Sequence, residues 1–169
     1  MKEAILTQEY LKSILHYDEN SGVFTNLVKR GHKTFKGAIA GSFTSAGYAQ
    51  IKINYKNYTA HRLVWLYVYG YFPPNQVDHI NGIKSDNRLS NLRLANMQEN
   101  KRNQGLTKAN KTGKKGVHLM PSGKWKANCR INNKTVHIGH YNTMEEAATA
   151  YDTFVKIAHG DFYFNSTGC

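Results

Sequence analysis

The sequence predicts an α+β protein built from two small antiparallel parts that a basic segment joins. Three observations predict this class. Short strand-like runs separated by turn residues fill residues 20–60, and a predicted hairpin followed by a helix occupies residues 76–104. After residue 117, a strictly alternating strand precedes an alanine-rich helical segment. The 169 residues suffice for one ordinary domain or two small ones.

The first 70 residues contain two predicted helices with short strands between them. Thr7 can cap the first helix, whose apolar positions recur at helical spacing: Tyr10, Leu11, Ile14 and Leu15. The second helix covers residues 62–69 and stops at Gly70, since glycine readily adopts the left-handed conformation that ends a helix. The predicted strands are 23–25, 48–53 and 58–60, the last two forming a hairpin around residues 54–57.

Residues suited to chemistry concentrate around the next predicted hairpin. Asp78 and His79 end a short strand, and Asn81-Gly82 is a strong turn signal. Neighbouring side chains of a regular strand point to opposite faces, so a single site using both would need irregular backbone. The chain returns as a strand over residues 90–94.

A helix follows this hairpin. Asn96 and Glu99 form a variant of the capping box, and the helix continues to about Gln104. Hairpin and helix together would bring Asn100 close to Asp78 and His79.

Positive charge dominates the chain but is unevenly spread. The formal net charge is +12, and residues 105–135 contain eight lysines or arginines and no acidic residue. Such a balance favours a polyanionic partner over a charge that serves solubility alone. The segment 105–116 is rich in lysine and glycine, which predicts a linker and a domain boundary. Lys111 and Lys114 in this linker are expected to contact the polyanion.

Hydropathy and cysteine content exclude several classes of protein. Hydrophobic residues make up 40% of the chain and its mean hydropathy is −0.59, with no apolar run near the ~20 residues that span a bilayer. The first 15 residues do not resemble a secretory signal. Cys129 and Cys169 are too few for a disulfide framework or a four-cysteine zinc site. We therefore expect a cytoplasmic protein without a membrane partner.

The residues after the linker predict a half-buried sheet packed on one helix. Apolar residues alternate with basic or polar ones along residues 124–131, and a further strand covers 135–141. Thr143 and Glu146 then predict a capped helix whose small residues Ala147 and Ala148 let it lie close to the sheet. The exposed face of the predicted sheet is basic.

Residues 61–104 resemble the HNH nucleases, whose catalytic unit is a ββα-metal finger, and in particular phage HNH homing endonucleases. The resemblance rests on HRLVW (61–65), DHINGIKSDNRLSNLR (78–93) and ENKRNQ (99–104). Within these segments, Asn91 follows His79 by twelve residues and Asn100 follows Asn91 by nine.

This resemblance implies a role for each matching residue. His79 would be the general base that takes a proton from water. Asp78 and Asn100 would hold one divalent ion per active site, Mg²⁺ or Mn²⁺, since both supply hard oxygen ligands. Asn91 would tie the hairpin loop together and help to orient His79; the alternative is a simple turn residue.

Other positions in this segment have open interpretations. Many relatives have histidine at the position of Asn100, and an amide oxygen there favours Mg²⁺ or Mn²⁺ over Zn²⁺. His61 either contacts the substrate phosphate or is a packed, hydrogen-bonded structural residue. Lys101 and Arg102 either contact phosphate oxygens or belong to a solvated helix face.

Residues 115–165 resemble the Apetala-2/ethylene-response-factor DNA-binding domain. The matching residues are Gly116-Val117, PSGKW (121–125), Arg130, Ile138-Gly139 and EEAATAYD (145–152). In that family a sheet enters the major groove, which is wide enough for a β-ribbon. By position, the residues expected to face DNA are Lys115, His118, Lys124, Lys126, Arg130 and His137. His118 and His137 depart from the plant pattern, so the plant target sequence does not transfer.

The sequence thus predicts a metal-dependent endonuclease of the HNH type that cuts double-stranded DNA, as a monomer or weak dimer. The expected domains are 1–104 (N-terminal helix and hairpin region 1–60, ββα-metal core 61–104), the linker 105–116, and the DNA-binding domain 117–169. If the gene belongs to a phage, the protein would act in the host-cell cytoplasm. The alternatives are a non-catalytic DNA-binding regulator with a relict nuclease unit and, third, an RNA-binding protein.

Overall fold

The computed structural model describes residues 6–31, 34–103, 105–106, 109–131 and 134–160. Contacts divide the chain into two compact units, Met1–Met97 and Gln98–Cys169. Small antiparallel sheets and helices make up both units, so the mixed class predicted from the sequence is confirmed. Among the described residues, no helix combines the length and apolar character needed to cross a membrane.

The described residues of the first unit form three small antiparallel sheets and two α-helices. Its sheets pair β1 with β2, β3 with β4 and β5, and β6 with β7. In chain order its elements are α1 (Gln8–Ile14), β1 (Leu15–Asp18), β2 (Val23–Asn26), β3 (Ser42–Phe43), β4 (Ala49–Ile53), β5 (Lys56–Thr59), α2 (Ala60–Tyr69), β6 (Gln76–His79), a 3₁₀ turn (Leu89–Asn91) and β7 (Leu92–Ala95).

The core of the first unit lies between its helices and the β4 strand. Its fully buried side chains include Leu11, Ile51, Leu63 and Val64. Burial of each such side chain stabilises the fold by roughly 1.5–3 kcal/mol. Helix α2 supplies the largest share and ends at Gly70, whose φ of 83° is left-handed, as the sequence predicted.

Helix α1 is one residue shorter than its apolar spacing predicts. The Thr7 side chain caps it by accepting a hydrogen bond from the Tyr10 N–H, but the helix ends at Ile14. Leu15 has extended backbone and begins β1. Because Leu15 is fully buried as the first residue of that strand, apolar spacing alone does not distinguish the two conformations.

Strand β7 begins two residues later than the sequence predicts. Leu89–Asn91 form a 3₁₀ turn instead of strand. The Asn91 side chain is engaged by loop backbone, and short polar side chains with such local bonds favour turns over a regular ladder.

The described residues of the second unit include a three-stranded antiparallel sheet packed on one long helix. Helix α3 (Met97–Asn103) begins at the boundary of the two units; β8 (Val117–Leu119), β9 (Trp125–Ile131), β10 (Lys134–Tyr141) and α4 (Met144–His159) follow. Strand β9 is central. Thr143 and Glu146 form the capping box of α4, and Ala147 and Tyr151 pack with Ala127 of the sheet.

The second half of the predicted linker forms a hydrogen-bonded turn. The Asn110 side chain donates to the Lys114 carbonyl at 2.8 Å, and Thr112 Oγ1 donates to the Val117 carbonyl at 3.1 Å. Gly116 has a φ of 70°, and a Cβ there would lie 2.1 Å from the Tyr151 ring. Residues 110–116 of the predicted linker are therefore locally ordered, because short polar side chains satisfy their backbone.

Candidate active site

Asp78 and His79 are both buried at the end of β6. The strand pairs regularly with β7, with Asp78 opposite Arg93 and His79 opposite Leu92. The strand ends at His79, and the Ile80 N–H still donates to the carbonyl of Asn91, the next residue in the same register, at 2.9 Å. The pleat therefore directs the two side chains to opposite faces of β6.

Asp78 is held by a guanidinium group. Arg93 donates to Asp78 Oδ2 from Nε at 3.0 Å and from Nη2 at 2.8 Å. Both side chains are largely shielded from solvent. The ion pair keeps a negative charge in a protected position, because a buried carboxylate without a partner would be costly.

The proton of His79 can be placed from its neighbour Asn87. The Asn87 amide nitrogen donates to the Ser85 carbonyl at 3.0 Å, so its oxygen faces His79 Nε2 at 3.3 Å. An oxygen acceptor requires that Nε2 carry the proton in the neutral ring. The lone pair then lies on Nδ1, which is therefore the basic nitrogen of the ring.

Two contacts fix the backbone of Asn87. The Tyr17 hydroxyl donates to the Asn87 carbonyl at 2.8 Å. Gly22, at the turn between β1 and β2, packs so closely that a Cβ would lie 2.4 Å from the Arg88 nitrogen. The sequence reasoning missed Asn87, whose position between two charged neighbours carries no motif signal.

Asn91 ties the loop between β6 and β7 together. Its side-chain oxygen accepts from the Asn81 N–H at 3.0 Å, and its amide nitrogen donates to the Asp86 carbonyl at 2.8 Å. Asn81 in turn donates from its side chain to Asp86 Oδ2 at 2.8 Å. Asn91 therefore contacts the loop backbone, whereas Asn87 contacts the imidazole of His79.

His61 of α2 packs against His79. The two ring centroids lie 5.2 Å apart and the rings are nearly perpendicular, at 89°. Tyr48 contacts both rings, and the Thr59 hydroxyl lies 3.1 Å from His61 Nε2. His61 Nδ1 is buried with no hydrogen-bond partner among the described residues. These contacts agree with the interpretation of His61 as a packed structural residue rather than as a contact to the substrate phosphate.

Burial lowers the pKa of both imidazoles. Desolvation is the largest cause for His61, with the nearby His79 and Arg62 contributing, and the pKa falls to about 4. Burial also lowers the pKa of His79, although the Asn87 hydrogen bond and the Asp78 charge oppose the shift. Two neutral rings therefore face each other at neutral pH.

The donors of the β6–β7 hairpin suit a hard divalent cation. Asp78 supplies a carboxylate whose Oδ2 is engaged by Arg93, and the side-chain oxygens of Asn87 and Asn91 are hydrogen-bonded as well. Mg²⁺ keeps several waters and needs only one or two protein oxygen ligands. Among the described residues, no three His, Cys, Asp or Glu side chains converge on a metal position. The Asp78 carboxylate together with one amide oxygen would be chemically suitable ligands for Mg²⁺. The sequence predicts that Asn100 supplies this amide oxygen.

Asn100 belongs to α3, in the second compact unit. Its approach to Asp78 therefore stays a prediction. The side chains of Lys101 and Arg102 lie outside the described residues.

The predicted DNA contacts of the second unit lie mainly on the sheet face that does not pack against α4. Ala127 and Cys129 of β9 are buried toward the helix, so Lys126, Asn128 and Arg130 point to the opposite face. Across the ladder, Lys126 lies between His118 and His140, and Asn128 lies opposite His137.

His140 was missed by the sequence reasoning because of a bulge in β10. The register shifts between His137 and Gly139. Such a shift re-aims the following side chains, and the ring centroids of His137 and His140 lie only 4.5 Å apart.

The other predicted contacts differ in exposure. Lys111 and Lys124 are exposed, whereas Lys114 is half-buried. Lys115 is also half-buried, and burial lowers its pKa. Trp125 packs against the core of the unit, as expected for an inward-facing ring.

Comparison with known proteins points to one family. Residues 58–102 match the family model described as HNH endonuclease. The chain is 35% identical over 104 residues to a protein of Acanthamoeba polyphaga mimivirus named as an uncharacterized HNH endonuclease. The alignment covers 60% of this chain and 54% of that relative, so the chain spans about half of the relative's length. No solved structure matches the chain. The comparisons thus support an HNH endonuclease relationship for the segment that holds Asp78, His79 and Asn91.

Proposed function

We propose that this protein is a DNA endonuclease that depends on a divalent metal ion and uses His79 as its general base. The observation that carries the proposal is the state of the imidazole. Asn87 accepts a hydrogen bond from Nε2 and leaves Nδ1 unprotonated, and burial keeps the ring neutral at neutral pH. A base in this state can take a proton from a water molecule that attacks phosphorus.

Each remaining residue of the site has a positional task. Asn87 selects the tautomer of His79, and Asn91 holds the loop that carries Asn87. Arg93 pairs with Asp78 and orients its carboxylate. Asp78 and Asn100 would hold one Mg²⁺ or Mn²⁺ ion, which would stabilise the charge on the scissile phosphate and the leaving 3′ oxygen.

The second unit would hold the DNA while the first cuts it. Its open face carries Lys126, Arg130 and three exposed histidines, and this residue set suits the phosphates and base edges of a groove. The proposed layout keeps residues 1–104 as nuclease, 105–116 as connection and 117–169 as an Apetala-2-like DNA-binding domain. Attachment of the two raises the effective concentration of the nuclease at the bound DNA. We further propose that the protein is a homing endonuclease of phage origin.

A non-catalytic DNA-binding regulator is the second candidate. One observation favours it: the guanidinium of Arg93 already engages Asp78 Oδ2 through two hydrogen bonds. If this ion pair never opens to a cation, the unit would bind DNA without cutting it.

Cleavage with and without chelator separates the two candidates. Supercoiled plasmid and viral genomic DNA are incubated with the full chain in Mg²⁺, in Mn²⁺ and in EDTA, and products are resolved on denaturing gels. The endonuclease proposal expects nicked or linear products in metal only. Retained DNA binding with no cleavage in either metal would support the regulator and reject the enzyme.

A further inference from the structure

A cleft of about 600 Å³ opens on the first unit between α1, the loop after β2 and the β4–β5 turn. Three cationic residues line it: Lys29, Arg30 and Lys52. Tyr10 and Tyr55 add aromatic surface, and no acidic side chain is among the described residues that line the cleft. A cationic and aromatic lining of this kind suits a phosphodiester chain, because the cations attract phosphates and the rings cover apolar sugar.

Arg30 is held in place by neutral groups. Its Nη2 donates to Asn26 Oδ1 at 2.7 Å, and its Nη1 donates to the Lys52 carbonyl at 2.9 Å. Asn26 is itself buried, so it holds the guanidinium firmly. These acceptors orient Arg30 without cancelling its charge, which prepares the cleft for an anion at low entropic cost.

Tyr55 occupies a backbone position that favours glycine. Asn54 and Tyr55 form the turn between β4 and β5 with φ values of 48° and 65°. The left-handed conformation costs a non-glycine residue about 1–2 kcal/mol, and Asn-Gly is the favoured pair in such turns. Tyr55 is nevertheless 95% exposed, and its ring contact within the fold is with Lys52 Nζ, 5.9 Å from the ring centroid. Strain at so exposed a residue, beside a cation that also lines the cleft, points to a role in contacting another molecule.

Strand β4 connects this cleft to the candidate active site. Tyr48, directly before the strand, has its ring centroid 6.0 Å from that of His79. Ile53, at the other end, lines the cleft. Five residue steps along an antiparallel strand span about 17 Å, which equals about five base pairs of B-DNA.

We propose that this cleft binds the sugar–phosphate backbone of the substrate duplex about five base pairs from the scissile phosphate. The inference rests on the proposed endonuclease function for the identity of its ligand. Lys29, Arg30 and Lys52 contact phosphates, and the Tyr55 ring covers a deoxyribose. The cleft therefore extends the footprint of the first unit along the DNA beyond the catalytic histidine.

The first test measures the salt dependence of binding, which does not require cleavage. Affinity of the full chain for a 30-base-pair duplex is measured by fluorescence anisotropy between 50 and 300 mM KCl. Loss of two phosphate contacts in Lys29→Gln/Lys52→Gln should reduce the slope of log affinity against log salt by about 1.8, at about 0.9 per phosphate. Lys12→Gln removes an exposed charge of α1 outside the cleft and should reduce it by less than about half a unit.

Tyr55→Gly separates binding from folding. Glycine adopts the left-handed turn conformation without strain, so the melting temperature should stay the same or rise. Affinity for the same duplex should nevertheless fall about threefold to tenfold, since the Tyr55 ring that covers a deoxyribose is lost. Unchanged affinity in Tyr55→Gly together with an unchanged salt slope in the double lysine variant would overturn the proposal.

The second test uses cleavage of duplexes that are shortened on one side of a mapped cut. Wild-type protein should lose at least about tenfold in kcat/KM when the flank on the cleft side falls below about five base pairs. The double lysine variant should show the same loss in kcat/KM even on duplexes with long flanks. Shortening the flank should lower its kcat/KM little further. Wild-type cleavage that ignores flank length rejects the cleft while leaving the endonuclease intact. An altered salt slope in a protein that never cuts DNA supports the cleft and rejects the endonuclease.

Discussion

The two units place histidine in opposite environments. In the first, His61 and His79 are buried ring against ring, and burial lowers the pKa of both. In the second, His118, His137 and His140 are exposed on the outer face of a sheet beside Lys126 and Arg130. The same side chain is thus a buried neutral ring in one unit and an exposed surface group in the other. The difference arises from what surrounds the ring rather than from the residue type.

Replacement of His79 should give the largest effect in this comparison. We expect His79→Ala to lower the cleavage rate by about 10²–10⁴-fold, because a positioned general base contributes that much. DNA affinity should change by less than about twofold, since the side chain is buried away from a surface contact. Single-turnover cleavage and anisotropy measure the two quantities. Normal cleavage by this variant would show that another group is the base.

Asn87 tests whether the tautomer of His79 matters. Asn87→Ala removes the acceptor at Nε2 and should reduce the single-turnover rate by roughly tenfold to a hundredfold through loss of ring orientation. Asn87→Asp retains an acceptor oxygen and should recover most of the rate. Equal losses in both variants would mean that the residue acts only through the loop fold, and circular dichroism of each variant checks that fold.

His61 should make folding stability depend on pH. Its pKa is about 4 in the folded protein and 6.5 as a model value, so between these pH values only the unfolded chain takes up the proton. The free energy of unfolding should therefore fall as the pH drops through this window, by on the order of 3 kcal/mol from His61. His61→Phe should remove that part of the slope in urea titrations at pH 7 and 4.5. His16→Gln, at an exposed histidine of β1, is the matched control and should leave the slope in place.

The exposed histidines should give the smallest effect. Their joint replacement, His118→Gln/His137→Gln/His140→Gln, removes surface contacts that each contribute about 0.5–1.5 kcal/mol at most. We expect a loss of DNA affinity of about twofold to tenfold in anisotropy titrations. If this variant lost DNA affinity by as large a factor as His79→Ala loses cleavage rate, the contrast between the two environments would be contradicted.

The sequence predicted elements wherever local chemistry decides them. Thr7, Gly70 and the Thr143–Glu146 pair end or begin helices through their own backbone preferences and hydrogen bonds, and each does so in the structure. The alternation of β9 likewise predicts which of its side chains are buried. Apolar spacing failed at Leu15, because a residue that is buried in either conformation leaves the backbone undetermined.

The site was predicted only in part for a similar reason. Asp78, His79 and Asn91 are marked by their spacing, whereas Asn87 acts through contacts with Tyr17 and Gly22 that only the fold creates. The bulge that brings His140 next to His137 leaves only a weak local signal, a glycine at residue 139, which also occurs in regular strands. Residues whose role depends on distant partners are therefore the ones that a single sequence conceals.

The hydrogen-bonded loop after β6 also affects the chemical lifetime of the protein. Asn-Gly pairs deamidate readily in flexible chains, because the glycine nitrogen attacks the asparagine side chain. Here the Gly82 N–H donates to the His79 carbonyl at 2.9 Å, and the Asn81 amide group is engaged at both ends, by the Ile83 N–H and by Asp86. Succinimide formation at Asn81 therefore requires the loop to open first. The rate at which aged protein gains mass at this residue would record how often the loop that holds Asn87 against His79 opens.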